Sequence, residues 1–125
     1  MADRVARYPY ETAVTAYGNG GFRFADMSHR GSVLCLPSGV YAWDATTAAK
    51  LQPQDFELLL TLVEPPITVL LGTGEAQVWP ADEVYRAFAE AGIGLEPMST
   101  GAAARTYNIM IAEKRRIAAA LLAVP

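Results

Sequence analysis

The sequence predicts an α/β fold with a mixed sheet, and three observations predict it. Two pairs of apolar runs in the first half are each interrupted by turn residues, as in antiparallel hairpins. The run "ITVLL", Ile67 to Leu71, is unbroken and apolar, which suits a strand covered on both faces in the middle of a sheet. A helical pattern and a short second strand follow it, the order that joins parallel neighbours through a right-handed crossover. With 125 residues, 52% of them hydrophobic, the chain fits one domain over residues 1–125 with a real core.

Each element has its own justification. "ETAVTAY", Glu11 to Tyr17, alternates loosely and runs into "GNGGFRFAD", where Gly18, Asn19, Gly20 and Gly21 supply the positive φ angles of a tight turn. "SVLCLPSGVYAW" repeats the scheme around Pro37, Ser38 and Gly39. Pro53 suits a first helical position, and Phe56, Leu59, Leu60 and Val63 follow at helical spacing until Pro65 and Pro66 stop the segment. After Ile67 to Leu71 and the turn Gly72-Thr73-Gly74, a helix is expected from Asp82, with acids in its first turn, Val84, Phe88 and Ala91 inward, and Gly92 at its end. "IGLEPM" is a short strand. A last helix is expected from about Ala102 to Val124, with Met110, Ile117, Leu121 and Val124 on its apolar face and the Lys114 stem along the core edge.

Composition excludes several classes of function. Ten Lys and Arg against thirteen Asp and Glu give a net charge of −3 and no basic stripe, which argues against nucleic acid as a partner. The single Cys35 forms no internal disulfide, and with a single His29 the chain has no metal-ligand pattern, so no metal or cofactor is expected. No apolar stretch reaches the roughly 18 residues needed to span a bilayer, and Met1 to Tyr10 has no apolar signal-peptide core. A cytoplasmic protein that does not span the membrane is the expectation. Cys35 reads as a small core residue, Trp43 and Trp79 as buried anchors, and His29 with Arg30 as an exposed turn.

The candidate site lies in two echoing turns, Gly72-Thr73-Gly74 and Ser99-Thr100-Gly101, both expected at the carboxyl ends of parallel strands. They offer hydroxyls, close backbone approach and the free NH groups of a helix start. Arg105 opposes the helix dipole there, which points to an anion, bound bidentately as a carboxylate or phosphate; Tyr107 and Asn108 would orient it. A purely structural reading accounts for the same residues, with Ser99 or Thr100 as N-cap, the glycines as turn residues and Arg105 paired to an acid such as Glu96. Neither turn is a P-loop or a dinucleotide fingerprint. A nucleophilic role for Ser99 or Thr100 lacks a base, since His29 is far away in sequence.

"YGNGGFRF", "HRGSVLCLPSGVYAW", "LLGTG", "GIGLEPMSTGAAARTYN" and "EKRRIAAALLAV", in that order and over nearly the whole chain, resemble the Mth938-like family of small domains of unknown function, which includes the mitochondrial complex I assembly factor 3 group. The resemblance implies a three-layer α/β fold, a mixed central sheet with helices and an additional β element. The family's mitochondrial members are associated with assembly of respiratory complex I, and no catalytic residue is given for the family; with no transit-peptide pattern the chain is expected to be a bacterial member, and assembly of a respiratory complex is an expectation for it. The family pattern carries cysteine where this chain has Ala104, which removes any thiol role there. Two functions are therefore carried forward. The first is a non-enzymatic interaction or assembly protein with a protein partner; the second is a small enzyme or binding protein for an anionic metabolite.

Overall fold

The computed structural model describes residues 5–125. The stretch Met1 to Tyr10, read above for a signal segment, lies partly outside them.

The first sheet is small and antiparallel: β1 (Ala16–Gly18), β2 (Gly21–Phe24) and β3 (Met27–Arg30), in the order β1-β2-β3. Asn19 at φ 52° and Gly20 at φ 79° form the β1–β2 turn, so the expected hairpin is present and has the backbone twist that two-residue hairpins favour. A second return at Ala25 (φ 47°) and Asp26 (φ 64°) adds β3. His29 and Arg30 therefore lie in a strand, not in the exposed turn expected. An alanine held at positive φ carries no signal that the sequence could give.

The larger sheet runs, in order, β5 (Gly39–Trp43), β4 (Ser32–Leu36), β8 (Ile117–Leu121), β6 (Thr68–Gly72) and β7 (Gly94–Met98). β4 and β5 form the second expected hairpin. β6 is the buried strand, parallel on one side to β7 and on the other to β8. The helix α2 (Asp82–Ala91) joins β6 to β7 and ends on Gly92 in the left-handed region, with Asp82 and Glu83 in its first turn. The helix α3 (Thr100–Ala112) joins β7 to β8. Two apolar cores sandwich the sheet. Trp43, Phe56, Leu59, Val84 and Phe88 fill one; Phe22, Phe24, Cys35, Ala103 and Tyr107 fill the other, beneath α3 and the small sheet. The three-layer α/β arrangement with an additional β element is thus present.

The last element differs most from expectation. The helix stops at Ala112, a turn with Lys114 at φ 61° reverses the chain, and Ile117–Leu121 is a strand between β4 and β6. Ala118, Ala120 and Leu122 belong to one core while Ile117, Ala119 and Leu121 belong to the other, the alternation of a strand buried on both faces. Alanine's high helix propensity was overridden by pairing on both edges. Lys114 is exposed in the turn and does not lie along a helix face.

Smaller differences have local causes. The Pro53 segment is a short 3-10 turn (Pro53–Phe56) continued by α1 (Glu57–Leu60). Phe56 and Leu59 are buried as expected, but Val63 lies beyond α1 and is 97% exposed. Ala91 is only half-buried. Trp43 is buried, whereas Trp79 is 69% exposed because its neighbour Pro80 takes the inward position in the loop before α2.

Candidate functional site

Parallel pairing in the register Gly72↔Met98 puts the ends of β6 and β7 side by side, so the two turns meet. They are bonded to each other. The Thr100 backbone NH donates to the Gly74 carbonyl (2.8 Å), and the Gly74 NH donates to the Thr100 hydroxyl (3.0 Å), which itself donates to the Leu122 carbonyl (2.8 Å). The Thr73 hydroxyl donates to the Ala76 carbonyl (2.6 Å), lies 3.1 Å from the Met98 carbonyl and accepts from the Val78 NH. Both threonines are buried, and a Cβ on Gly72 would stand 2.9 Å from the Thr100 Cα. Ser99 caps α3, accepting from the Ala102 NH. The hydroxyls of both turns are therefore engaged within the chain, tying β6, β7 and the end of β8 together.

The other candidate residues lie one to two turns along α3. Gly101, Arg105 and Asn108 line an open concavity of about 340 Å³, completed by Ala104 and by Val14 to Tyr17 of the segment that enters β1. Asn108 grips that strand: its amide oxygen accepts from the Val14 NH (2.9 Å) and its amide nitrogen donates to the Val14 carbonyl (2.8 Å). The Tyr17 ring lies over Gly101, where any Cβ would collide with its hydroxyl. Among the described residues the Arg105 side chain has no hydrogen bond or ion pair, and the pairing with Glu96 is not formed. An exposed, unpartnered guanidinium at the rim of a concavity can take a carboxylate or phosphate in bidentate fashion.

Tyr107 faces the opposite way. It is fully buried in the α3 core, its hydroxyl has no partner, and burial, then Cys35 and Glu11, raise its ionisation well beyond the usual phenol range. Burial pushes the Cys35 thiol up to about 12, so it stays protonated at neutral pH and behaves as a core residue, as expected. Glu11 is raised by partial burial. No group of His, Cys, Asp and Glu arranged to hold a metal occurs among the described residues, and no helix among them is long and apolar enough to cross a membrane. Sequence reasoning missed Tyr17 and Val14, because a turn-and-helix motif says nothing about which distant strand closes over it.

Residues 14–122 match the family described as a protein of unknown function (DUF498/DUF598). An uncharacterised Rhodobacter capsulatus protein is 33% identical over all of this chain and 95% of its own length. A Danio rerio protein named NADH dehydrogenase [ubiquinone] 1 alpha subcomplex assembly factor 3 is 31% identical over 91% of this chain; the chain spans 66% of that protein's length. Among solved structures, one described as an outer membrane protein from Bartonella henselae is 44% identical with a TM-score of 0.90, covering 95% of this chain and 100% of that one. A Bordetella pertussis protein described as a Mth938-like domain is 31% identical with a TM-score of 0.75, covering 98% and 92%. The chain belongs to this DUF498/DUF598 family and shares the Mth938-like fold.

Proposed function

We propose that this family member is a non-enzymatic interaction or assembly protein whose contacts are made by the surface around β1 and the first turns of α3. The likeness to an assembly factor over 91% of the chain supports this reading. So does the inward commitment of the Thr73 and Thr100 hydroxyls, which leaves the exposed Tyr17 and Arg105, residue types that dominate binding energy at protein interfaces, as the outward groups. Assembly of a respiratory complex, from the cytoplasm, is the specific form of this proposal. Crosslinking followed by affinity capture from the native cell is expected to recover a reproducible protein partner, enriched over capture with an unrelated bait. Recovery of none overturns the reading.

The unpartnered Arg105 favours a second reading, a binding protein or enzyme for an anionic metabolite seated in the α3 concavity. Of the nine residues Gly72, Thr73, Gly74, Ser99, Thr100, Gly101, Arg105, Tyr107 and Asn108, that site would use Gly101 and Arg105 directly, with the others as its frame. A thermal-shift series with phosphate, sulfate, carboxylates and nucleotides tests it. An anion at about 100 times its dissociation constant stabilises by about 2.7 kcal/mol, and Arg105→Ala should abolish that rise while leaving the unliganded melting temperature unchanged. The same rise in both proteins sinks the reading.

A further inference from the structure

A second concavity lies away from the Thr-Gly turns. It is an open trough of about 460 Å³ over the small sheet, lined by Tyr17, Arg23, Ser28, His29 and Arg30 among others. Register explains its shape. The rungs Ala16↔Arg23↔Ser28 and Gly18↔Gly21↔Arg30 share one face of the sheet, opposite the rung of Phe22, which is buried. Arg23 and Arg30 therefore project on the same outward side, and between them Ala16, Gly18, Gly21 and Ser28 keep the floor low enough for a main chain to lie close. The trough shares Ala16 and Tyr17 with the Arg105 concavity, so the two form one path across β1.

The charge along that path is of one sign. Arg23, Arg30 and Arg105 line it, and no Asp or Glu does, in a chain whose net charge is −3. None of the three guanidinium groups has a hydrogen bond or ion pair among the described residues, and Arg23 and Arg30 are exposed. Tyr17, 48% exposed, shares the rung of Phe22 and so lies on the other side of β1 from Arg23 and Arg30, over Gly101 and beside Arg105. We propose that this path is the docking surface for an extended acidic segment of a partner protein that crosses the β1 edge, with carboxylates on Arg23 and Arg30 on one side, and a carboxylate on Arg105 and an apolar side chain against Tyr17 on the other. A single phosphate or small metabolite fills one concavity and leaves the other arginines unsatisfied; a chain several residues long reaches all three. The inference rests on the interaction reading above and specifies the partner's chemistry.

The test is a fluorescence-anisotropy titration with a labelled peptide of about ten residues alternating Glu and Leu, at about 20 mM and 200 mM salt. Wild type is compared with the double variant Arg23→Glu/Arg30→Glu and with Arg86→Glu, an exposed control on α2. Binding is expected in wild type, weakened by salt, weakened about tenfold or more in the double variant, and unchanged in the control. Amide NMR shifts on titration should centre on Ala16, Arg23 and Ser28, a readout that needs no variant to fold. The proposal is overturned by absence of wild-type binding at low salt, by equal loss in Arg86→Glu, by shifts centred elsewhere, or by equal affinity for a thymidine-rich oligonucleotide of matched charge. Capture of the same crosslinked partner by wild type and double variant alike overturns the trough and leaves the interaction reading standing. Capture of none by wild type overturns that reading, while the peptide titration still decides the trough.

Discussion

Phe56→Ala should destabilise the protein by about 3–5 kcal/mol, a large part of the roughly 5–15 kcal/mol that holds a domain folded. Phe56 has no exposed surface and sits at the centre of an aromatic chain, its ring centroid 5.5 Å from Trp43 and 5.0 Å from Phe88, the latter in an edge-to-face contact. It joins three segments that are remote in sequence: the β5 strand, the 3-10 turn and α2. The turn is fixed from both sides, because the Trp43 indole NH donates to the carbonyl of the adjacent Asp55 (2.8 Å) and Asp55 in turn caps the Gln52 NH. A backbone held in this way collapses poorly onto a deleted ring, so the cavity term is expected to persist and to add to the lost aromatic pairing. Urea unfolding should show a lower midpoint at an unchanged slope, whereas Trp79→Ala, at an exposed position, should stay within about 0.5 kcal/mol of wild type. A loss below about 1.5 kcal/mol for Phe56→Ala is incompatible with this core.

The residues of that core were readable in advance where spacing, not distant contact, decided the structure. Asn19-Gly20, Pro37-Ser38 and Gly92 each mark a backbone reversal, and the apolar run before Gly72 admits little besides a buried strand. The segment Ile117–Leu121 could not be read in the same way. Its alanines satisfy a helix and a doubly buried strand equally well in composition, and what decides between them is the presence of β4 and β6 on either edge, two strands distant in sequence. The one local clue was the charged run Glu113 to Arg116, which stops the helix in a turn with Lys114 at positive φ. Small side chains then have a use in the strand: they let α3 lie close to the sheet, with Ala103 and Ala104 packed in the same core as Ala119.

The site was legible in its position and not in its orientation. Two Thr-Gly turns at the ends of parallel strands had to meet once β6 and β7 paired, and they do. Which way the hydroxyls point depends on Leu122, just after β8, on Ala76, in a loop without pattern, and on Met98, at the end of β7. Arg105 was singled out because it opposes the α3 dipole, and it is indeed left without a partner among the described residues. Arg23 and Arg30 carried no comparable signal, since only the β2–β3 register puts them on one face.

Thr100→Val should cost about 2–3 kcal/mol, and Thr100→Ser about 1 kcal/mol, an order that separates the hydroxyl from the methyl group. Valine keeps the volume but orphans the Leu122 carbonyl, which the Thr100 hydroxyl satisfies in the interior, and the Gly74 NH in the neighbouring turn. Serine keeps both bonds and loses one methyl from a site with no exposed surface. Because the hydroxyl ties the turn after β6 to the residue after β8, its loss should loosen the carboxyl ends of the parallel strands together, visible as faster amide exchange at Gly74 and Leu122 before any global unfolding. Equal stabilities for the valine and serine variants would sink the claim that this bond is what joins the turns. The same pair of variants weighs the two functional readings. If Thr100 only builds the frame, a folded Thr100→Val protein keeps whatever anion response Arg105 provides, because the guanidinium stands on the exposed side of α3 and the hydroxyl on the buried side. Loss of that response with the fold intact would return the Thr-Gly turns to the binding site itself and favour the metabolite reading over the interaction surface.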